Sequence, residues 1–256
     1  MKLNTCFLGL LILVSLARGE SIDLSFNEWS QWLRAYAKVH GPVTLVNYKK
    51  AQNNRKSLDS LMGQFEGVSK STFDSWSEKD RLAFLINAYN VFTIKLIVDN
   101  YPLKSIKDLG SLFKSPWKKK FFKLFGEDET LDGIEHERIR KKFKEPRIHF
   151  AVVCASKGCP ALKGEAYVGS RLNDQLEESL RNFLKDETRN RWDEKNNVLY
   201  LSKIFKWYAD DFKNAAGSEL AFLAPRMAGS EAQEKLFNQA KIEFLDYDWS
   251  LNETQE

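Results

Sequence analysis

The residues with the clearest chemical potential form a short cluster in the stretch RIHFAVVCASKGCP. His149 precedes Cys154 by five residues, and Cys159 follows after five more, directly before Pro160. Thiolates are strong nucleophiles and imidazoles are the commonest general bases, so this combination is typical of covalent acyl transfer. Pro160 suits the first position of a short helix, whose positive end would lower the pKa of a neighbouring thiol.

An acid and a second imidazole lie upstream as the adjacent pair Glu135 and His136. A carboxylate close to an imidazole orients the ring and raises its basicity, as the third member of a catalytic triad does. Glu135, His149 and Cys154 follow one another in the order acid, base, nucleophile. The remaining histidine, His40, lies at the end of a predicted helix, where capping or solvent exposure explains it.

Three interpretations of this cluster stay open on residue types and spacing alone. The first is a thiol enzyme. The second is a disulfide between Cys154 and Cys159, which would stabilise an exported protein by about 2 kcal/mol. The third is a metal site of two thiolates and two imidazoles, but the closely spaced cysteine and histidine pairs of zinc sites are missing. Spacing favours the disulfide over the enzyme, and the metal site least.

A long and almost wholly apolar segment, RLAFLINAYNVFTIKLIVDN, carries the next candidates. Ser77 and Asp80 form the pattern of a capping box at its start, so we predict a buried central helix. Asn87 and Asn90 lie three residues apart and therefore share one helix face. A buried amide without a partner costs about 1–3 kcal/mol. We expect these amides, with Tyr89, either to fix neighbouring backbone or to line a site and stabilise an oxyanion.

The segment Ile148–Cys154 is a near-continuous run of β-favouring residues and predicts an interior strand. Side chains alternate along a strand, which places His149 and Cys154 on opposite faces unless the strand ends or bulges between them. We predict that the central helix packs beside this strand and presents Asn87 or Asn90 towards His149, since buried amides need buried partners.

The remaining patterns predict one domain over residues 20–256, with no internal repeat and no linker. Helical periodicity and capping signals predict helices at about 25–39, 47–65, 131–143, 170–184, 205–212 and 231–241. Short strands are predicted at 198–201 and 242–247. The predicted fold class is α+β, a mostly helical domain packed on a small β-sheet.

The first 19 residues have the features of a secretory signal peptide. Lys2 supplies a positive charge, the apolar stretch runs over residues 6–16, and the small residues Ala17 and Gly19 suit a cleavage site. We predict cleavage after Gly19 and a secreted or periplasmic mature protein. Such a compartment is oxidising, which permits disulfides.

Composition excludes several other classes of protein. The 256 residues are 43% hydrophobic and 13% aromatic, which is far above the aromatic content of disordered chains. A net charge of +4 gives no reason to expect a nucleic-acid partner. We predict no membrane span, because no later apolar run reaches the ~18 residues required. Asn252-Glu253-Thr254 is a glycosylation sequon.

Several stretches together resemble the domain of unknown function 547 family. They are VNYKKAQNNRKSLDSL, WSEKDRLAFLINAYNVFTIKLI, TLDGIEHERIR, RIHFAVVCASKGCPALKGEAY and FLDYDWSLN, in the family's order over about 46–252. The resemblance implies a papain-like thiol-hydrolase arrangement in permuted order, in which the acid and the histidine precede the cysteine. No histidine follows the cysteines here, which fits that order.

The resemblance implies an exported thiol hydrolase acting on a peptide, amide or ester substrate. Cys154 would be the nucleophile, His149 the base and Glu135 the orienting acid, with Cys159 and His136 as alternates. Asn87, Asn90 and Tyr89 would line the site or stabilise the oxyanion. Neither a cofactor nor a metal is expected. The alternative is a non-catalytic secreted binding module with a Cys154–Cys159 disulfide.

Overall fold

The computed structural model describes residues 22–111 and 114–254, so the predicted signal peptide lies outside the described residues. The helices there are α1 (Asn27–Tyr36), α2 (Tyr48–Asn53), α3 (Arg55–Glu66), α4 (Lys70–Asp74), α5 (Glu78–Asn100), α6 (Lys141–Phe143), α7 (Leu172–Leu184), α8 (Lys203–Trp207), α9 (Ala209–Ala216), α10 (Glu219–Met227) and α11 (Glu231–Phe237). A π-helix, Gly133–Arg140, leads directly into α6. Short 3-10 helices cover Ile106–Leu109, Pro116–Lys118, Pro146–Phe150 and Gly169–Arg171.

The strands are short and belong to three small sheets. They are β1 (Ala37–His40), β2 (Val43–Val46), β3 (Phe122–Leu124), β4 (Glu127–Glu129), β5 (Arg191–Asp193), β6 (Val198–Leu201) and β7 (Lys241–Phe244). β1–β2 and β3–β4 are antiparallel hairpins; in the third sheet β6 pairs antiparallel to β5 and parallel to β7. Helix makes up 55% and strand 13%, which confirms the mostly helical α+β prediction.

Helix α5 forms the centre of the domain. The Ser77 side chain accepts a hydrogen bond from the Asp80 backbone N–H at its start, as the capping pattern predicts. Residues 82–98 are all buried, including both asparagines. By length and composition α5 resembles a membrane span, but 94% of its apolar window is buried within the protein. A core helix surrounded by other elements accounts for that composition.

Two apolar clusters meet at the segment that carries the cysteines and His149. The first surrounds α5 and includes Ile148 and Ala151. The second lies among α7, α9, α10 and β6 and includes Phe150, which contacts Phe183 and Phe212. Neighbouring residues of this segment therefore point into different clusters, which fixes it on both sides.

The prediction of an interior strand at Ile148–Cys154 is wrong, because this segment begins within the 3-10 helix Pro146–Phe150. Pro146 occupies its first turn, and the Glu145 side chain caps it by accepting the Arg147 N–H. Beyond it, Asn90 donates to the Ala151 carbonyl at 2.9 Å and accepts the Val153 N–H at 3.0 Å. One side chain thus satisfies backbone groups that a strand neighbour would otherwise pair.

We expect Asn90→Leu to lower the free energy of unfolding by about 2–4 kcal/mol. The substitution leaves the buried Ala151 carbonyl and Val153 N–H without partners, and each stranded group costs about 1–3 kcal/mol. Urea denaturation would measure the loss. The matched control is Asn214→Leu on the exposed side of α9, for which a change within about 0.5 kcal/mol is expected. Equal effects at the two positions would contradict the structural role of Asn90.

The sequon asparagine is part of the core. The Asn252 amide accepts a hydrogen bond from the Tyr48 hydroxyl at 2.7 Å and donates to the Thr44 carbonyl at 3.1 Å. Only 5% of Asn252 is exposed. The folded chain therefore offers no accessible amide for glycosylation at this sequon.

Candidate functional site

A cavity of about 210 Å³ lies where the π-helix, α8 and the cysteine segment approach one another. It is called the thiol cavity here. Its wall contains most of the site residues predicted from the sequence, namely Tyr89, Glu135, His136, His149, Cys154 and Cys159. Asn87 and Asn90 do not line it.

His149 is held by a carboxylate that the sequence did not reveal. Its Nε2 lies 2.7 Å from Asp211 Oδ2, and its side chain is fully buried. Arg140 binds the same carboxylate through two N–H donors, at 2.7 and 2.9 Å. The Tyr208 ring stacks on the imidazole with centroids 3.6 Å apart. His149 is therefore fixed by a charged partner on its edge and an aromatic ring on its face.

These contacts define the protonation of the pair. Burial lowers the pKa of His149, which favours the neutral imidazole. Burial alone would raise the pKa of Asp211, but the hydrogen bonds from His149 and Arg140 hold it well below its usual range. The positive charge of Arg140 already compensates the negative charge of the Asp211 carboxylate. The ion pair is therefore complete while His149 is neutral. The neutral ring then donates its Nε2–H to Asp211.

The other imidazole nitrogen, His149 Nδ1, is buried and has no hydrogen-bond partner among the described residues. With the proton on Nε2, Nδ1 carries an unshared lone pair in a residue that lines the thiol cavity. A neutral, oriented imidazole with an unoccupied nitrogen is the usual form of a general base.

The lowered pKa of His149 makes a prediction about acid stability. Below the ordinary value of 6.5 the unfolded state binds a proton that the folded state resists, so stability should fall as pH drops from about 6.5. We expect the stability difference between the wild-type protein and His149→Gln to shrink from pH 7.5 to pH 5.5, measured by urea denaturation. A difference that is constant with pH would contradict a depressed pKa.

The two cysteines lie side by side as free thiols. The Cys154 backbone N–H donates to the Cys159 sulfur at 2.9 Å. The Cys154 sulfur lies 3.1 Å from the Ser156 hydroxyl and 3.2 Å from the Tyr247 hydroxyl. The structure thus differs from the predicted alternative of a Cys154–Cys159 disulfide, because the two side chains form part of a hydrogen-bonded network instead.

This network separates the acidities of the two thiols. Burial raises the pKa of Cys159, yet hydrogen bonds from the Cys154 thiol, the Tyr247 hydroxyl and the Cys154 N–H outweigh it and bring the pKa to about 7. Burial and the neighbouring Cys159 raise the pKa of Cys154 well above its usual range. These contacts therefore favour Cys159 over Cys154 as the thiolate of the pair.

No hydrogen bond joins either thiol to a histidine within the part of the chain that the structure describes. The donors that stabilise a Cys159 thiolate come from Cys154 and Tyr247 rather than from an imidazole. The thiolate can therefore form without proton transfer to His149. The imidazole and the thiolate are separate functional groups in one cavity.

Glu135 and His136 occupy other positions in the wall than predicted. Glu135 is buried and accepts the Tyr208 hydroxyl at 2.6 Å, so the carboxylate in contact with His149 is that of Asp211. His136 Nδ1 lies 3.1 Å from Arg140 Nη1, which leaves it as an acceptor. Both residues lie near the pair formed by His149 and Asp211. Neither forms a hydrogen bond with a thiol among the described residues.

Asn87 and Asn90 bind backbone groups, which is the first of the two roles expected of these amides. Asn87 donates to the Tyr167 carbonyl at 2.7 Å and accepts the Tyr167 N–H at 3.0 Å. Asn90 makes the equivalent pair of bonds to the segment just before Cys154. Both amides are engaged with backbone and buried from solvent. Tyr89, Tyr208 and Tyr247 are the tyrosines that line the cavity.

Aromatic side chains form much of the remaining wall. Trp207, Tyr247 and Trp249 contact one another with centroids 4.6–5.7 Å apart, and Trp117 lies 5.8 Å from Trp249. Trp207 is 45% exposed. These four residues are called the aromatic rim. Apolar rings around a small group of polar side chains are typical of sites for small organic groups.

Within residues 22–111 and 114–254, no group of three or more histidine, cysteine, aspartate or glutamate side chains is arranged to hold a metal ion. The site is thus described by its thiols, imidazoles, carboxylates and phenols.

The fold and the cavity define a mostly helical α+β protein with a cysteine pair and a histidine–aspartate pair in one site. Residues 73–184 match the family described as "Protein of unknown function, DUF547". The family resemblance seen in the sequence is thereby confirmed. Neither the curated proteins nor the solved structures contain a match to the chain.

The matched region contains α5, the π-helix and the cysteine segment, whereas Asp211 and Tyr247 lie beyond it. No helical or strand spacing relates these two residues to the cysteines. Tyr247 does lie in FLDYDWSLN, a stretch that resembles the family, and this was the available signal for it. Asp211 lay in a predicted helix without any feature that indicated a function.

Proposed function

We propose that this protein is an exported thiol hydrolase that cleaves an amide or ester bond. The observation that carries the proposal is one cavity in which a cysteine with a pKa of about 7 accompanies a neutral histidine whose Nδ1 is unoccupied. The proposed nucleophile is Cys159, the alternate of the sequence analysis. Export rests on the signal-peptide pattern of residues 1–19.

The first chemical step is attack of the Cys159 thiolate on the carbonyl carbon of the substrate. A tetrahedral intermediate forms, and collapse yields a thioester on Cys159 while the leaving group takes a proton from the neighbouring Cys154 thiol. The Tyr247 hydroxyl, which already faces the sulfurs, is placed to donate to the developing oxyanion. Cys154 is thereby left as a thiolate.

The second step is hydrolysis of the thioester with His149 as the base. Nδ1 accepts a proton from water as the hydroxyl attacks the thioester carbonyl, and the Cys159 thiolate leaves. The proton then passes from the imidazolium to the Cys154 thiolate, which restores the resting state. Asp211 stabilises the transient imidazolium through its 2.7 Å contact with Nε2.

The aromatic rim bears on which acyl group the site accepts. Trp117, Trp207 and Trp249 offer apolar surface, and the cavity of about 210 Å³ suits a small group. Burying a phenyl ring against such side chains is favourable through apolar area and ring stacking. Esters of phenylacetic acid should accordingly be better substrates than acetate esters.

A test combines kinetics with mass measurement on reduced protein. With p-nitrophenyl phenylacetate we expect a burst of nitrophenol and a phenylacetyl adduct that maps to the peptide containing Cys159. The Cys154→Ala variant should still form this adduct. Absence of any adduct together with unchanged nitrophenol release by a Cys154→Ala/Cys159→Ala variant would overturn the proposal.

The non-catalytic binding module is the second candidate, and one observation favours it. Neither thiol forms a hydrogen bond with an imidazole among the described residues, so the thiols and His149 have no mutual contact of the kind found in many thiol enzymes. A binding module would hold the same aromatic ligands in the thiol cavity without forming a thioester. The adduct measurement separates the two candidates.

A further inference from the structure

A second cavity, of about 590 Å³, lies near the start of α5 and shares the π-helix with the thiol cavity. The π-helix contributes Gly133 and Glu137 to it, whereas Glu135 and His136 line the thiol cavity. It is called the Arg81 cavity here. Nothing in the proposed hydrolysis uses it.

The basic side chains of the Arg81 cavity are not all neutralised. Lys70 pairs with Asp74, and Arg138 pairs with Glu129. Arg81, by contrast, makes no ion pair within the described residues 22–111 and 114–254. Its Nε is buried and has no hydrogen-bond partner there.

Lys142 and Glu78 also line this cavity without an ion pair in the described residues. Both are exposed to solvent, whereas the Arg81 Nε is buried. Four acidic and four basic side chains line the cavity, and the Arg81 Nε is the buried polar atom among them that has no partner within the described residues.

An unpaired guanidinium in a cavity indicates the chemistry of a missing partner. The planar guanidinium offers parallel N–H donors that match the two oxygens of a carboxylate. A buried N–H without an acceptor is unfavourable, and a ligand carboxylate would supply that acceptor. An anionic head group thus fits this part of the wall.

Part of the wall is apolar. Phe73 and Leu85 are buried, and Phe125 and Phe143 are partly buried, and all four line the Arg81 cavity. These four side chains favour burial of hydrocarbon beside the charged groups. A ligand that satisfies both parts has one anionic end and an apolar body.

We propose that the Arg81 cavity binds a monocarboxylate with an apolar chain, of the medium-chain fatty-acid class. The carboxylate pairs with the Arg81 guanidinium, and the chain lies against Phe73, Leu85 and Phe125. This site is independent of the proposed hydrolase activity, because it shares no lining residue with the thiol cavity.

Isothermal titration of the whole mature chain with decanoate tests the proposal. Saturable binding is expected, with a dissociation constant at least tenfold weaker in Arg81→Gln. Arg81→Lys keeps the charge but loses the paired donors. Its dissociation constant for decanoate should lie between those of the wild type and Arg81→Gln. The matched control is Arg55→Gln, because Arg55 is an exposed arginine already paired with Asp99, and it should bind as the wild type does.

Further ligands and one further variant complete the test. Decanol, which has the same chain without the charge, and inorganic phosphate should each bind at least tenfold more weakly than decanoate. Equal binding of decanol, or equal weakening by Arg55→Gln, would overturn the proposal. Cys159→Ala should bind decanoate as the wild type does, so loss of hydrolysis and loss of this site are distinguishable. If Arg81→Gln failed to fold, Arg81→Lys and the decanol comparison would still decide.

Discussion

Cys159→Ala is expected to lower the rate of ester hydrolysis by about 10³-fold or more, since it removes the thiol whose pKa the surrounding hydrogen bonds lower to about 7. Cys154→Ala should cost far less, about tenfold at pH 7. Loss of the Cys154 thiol as a hydrogen-bond donor raises the pKa of Cys159, and activity should recover as the pH is raised towards 9. Steady-state kinetics from pH 6 to pH 9 measure both effects.

The paired variants control for each other, because both remove one sulfur from the same network. Circular dichroism and thermal unfolding would establish that each variant is folded. A Cys154→Ala variant that is inactive at every pH, beside an active Cys159→Ala variant, would return the nucleophile to Cys154. That outcome would agree with the assignment made from the sequence and contradict the one made from the geometry.

His149→Gln is expected to reduce turnover by about 10²–10⁴-fold, which is the usual contribution of a general base. Since His149 is proposed to act on water rather than on the thiol, formation of the thioester should be nearly unaffected. The variant should therefore give a full burst of nitrophenol followed by a very slow steady state. Stopped-flow measurement and the mass of the accumulated thioester would record both phases.

Asp211→Asn and Arg140→Gln separate the parts of this arrangement. Asparagine can accept the Nε2–H but cannot compensate an imidazolium, so turnover should fall while the burst remains. Arg140→Gln leaves the Asp211 charge uncompensated, which should raise the pKa of His149 and shift the acid limb of the rate profile to higher pH. Loss of the burst in His149→Gln would show that His149 activates the thiol instead.

Local patterns were sufficient for the central helix but not for the partners of its buried side chains. Helix α5 was predictable because its capping residues and its apolar sequence act within one segment. The burial of Asn87 and Asn90 followed from the same pattern. Their partners did not, because a carbonyl of Tyr167 or Ala151 carries no signal in its side chain.

The errors at the site have a common physical origin. The apolar run Ile148–Cys154 was taken for a strand, yet it is apolar because its residues enter two clusters, and Asn90 replaces the strand neighbour. Glu135 was matched to His149 because the family resemblance implies the order acid, histidine, cysteine. The contacting acid, Asp211, is 62 residues from His149 along the chain, and only the tertiary fold brings it there.

The most direct test of the central claim is the pH dependence of thiol alkylation by iodoacetamide, with the modified peptide mapped at each pH. We expect the reduced native protein to react first at Cys159, with a rate that rises through a midpoint at about pH 7. In denaturant the two cysteines should react alike, with a midpoint near the ordinary value of about 8.5. Preferential labelling of Cys154, or a midpoint for Cys159 that is the same in the native and denatured states, would contradict the proposed thiolate.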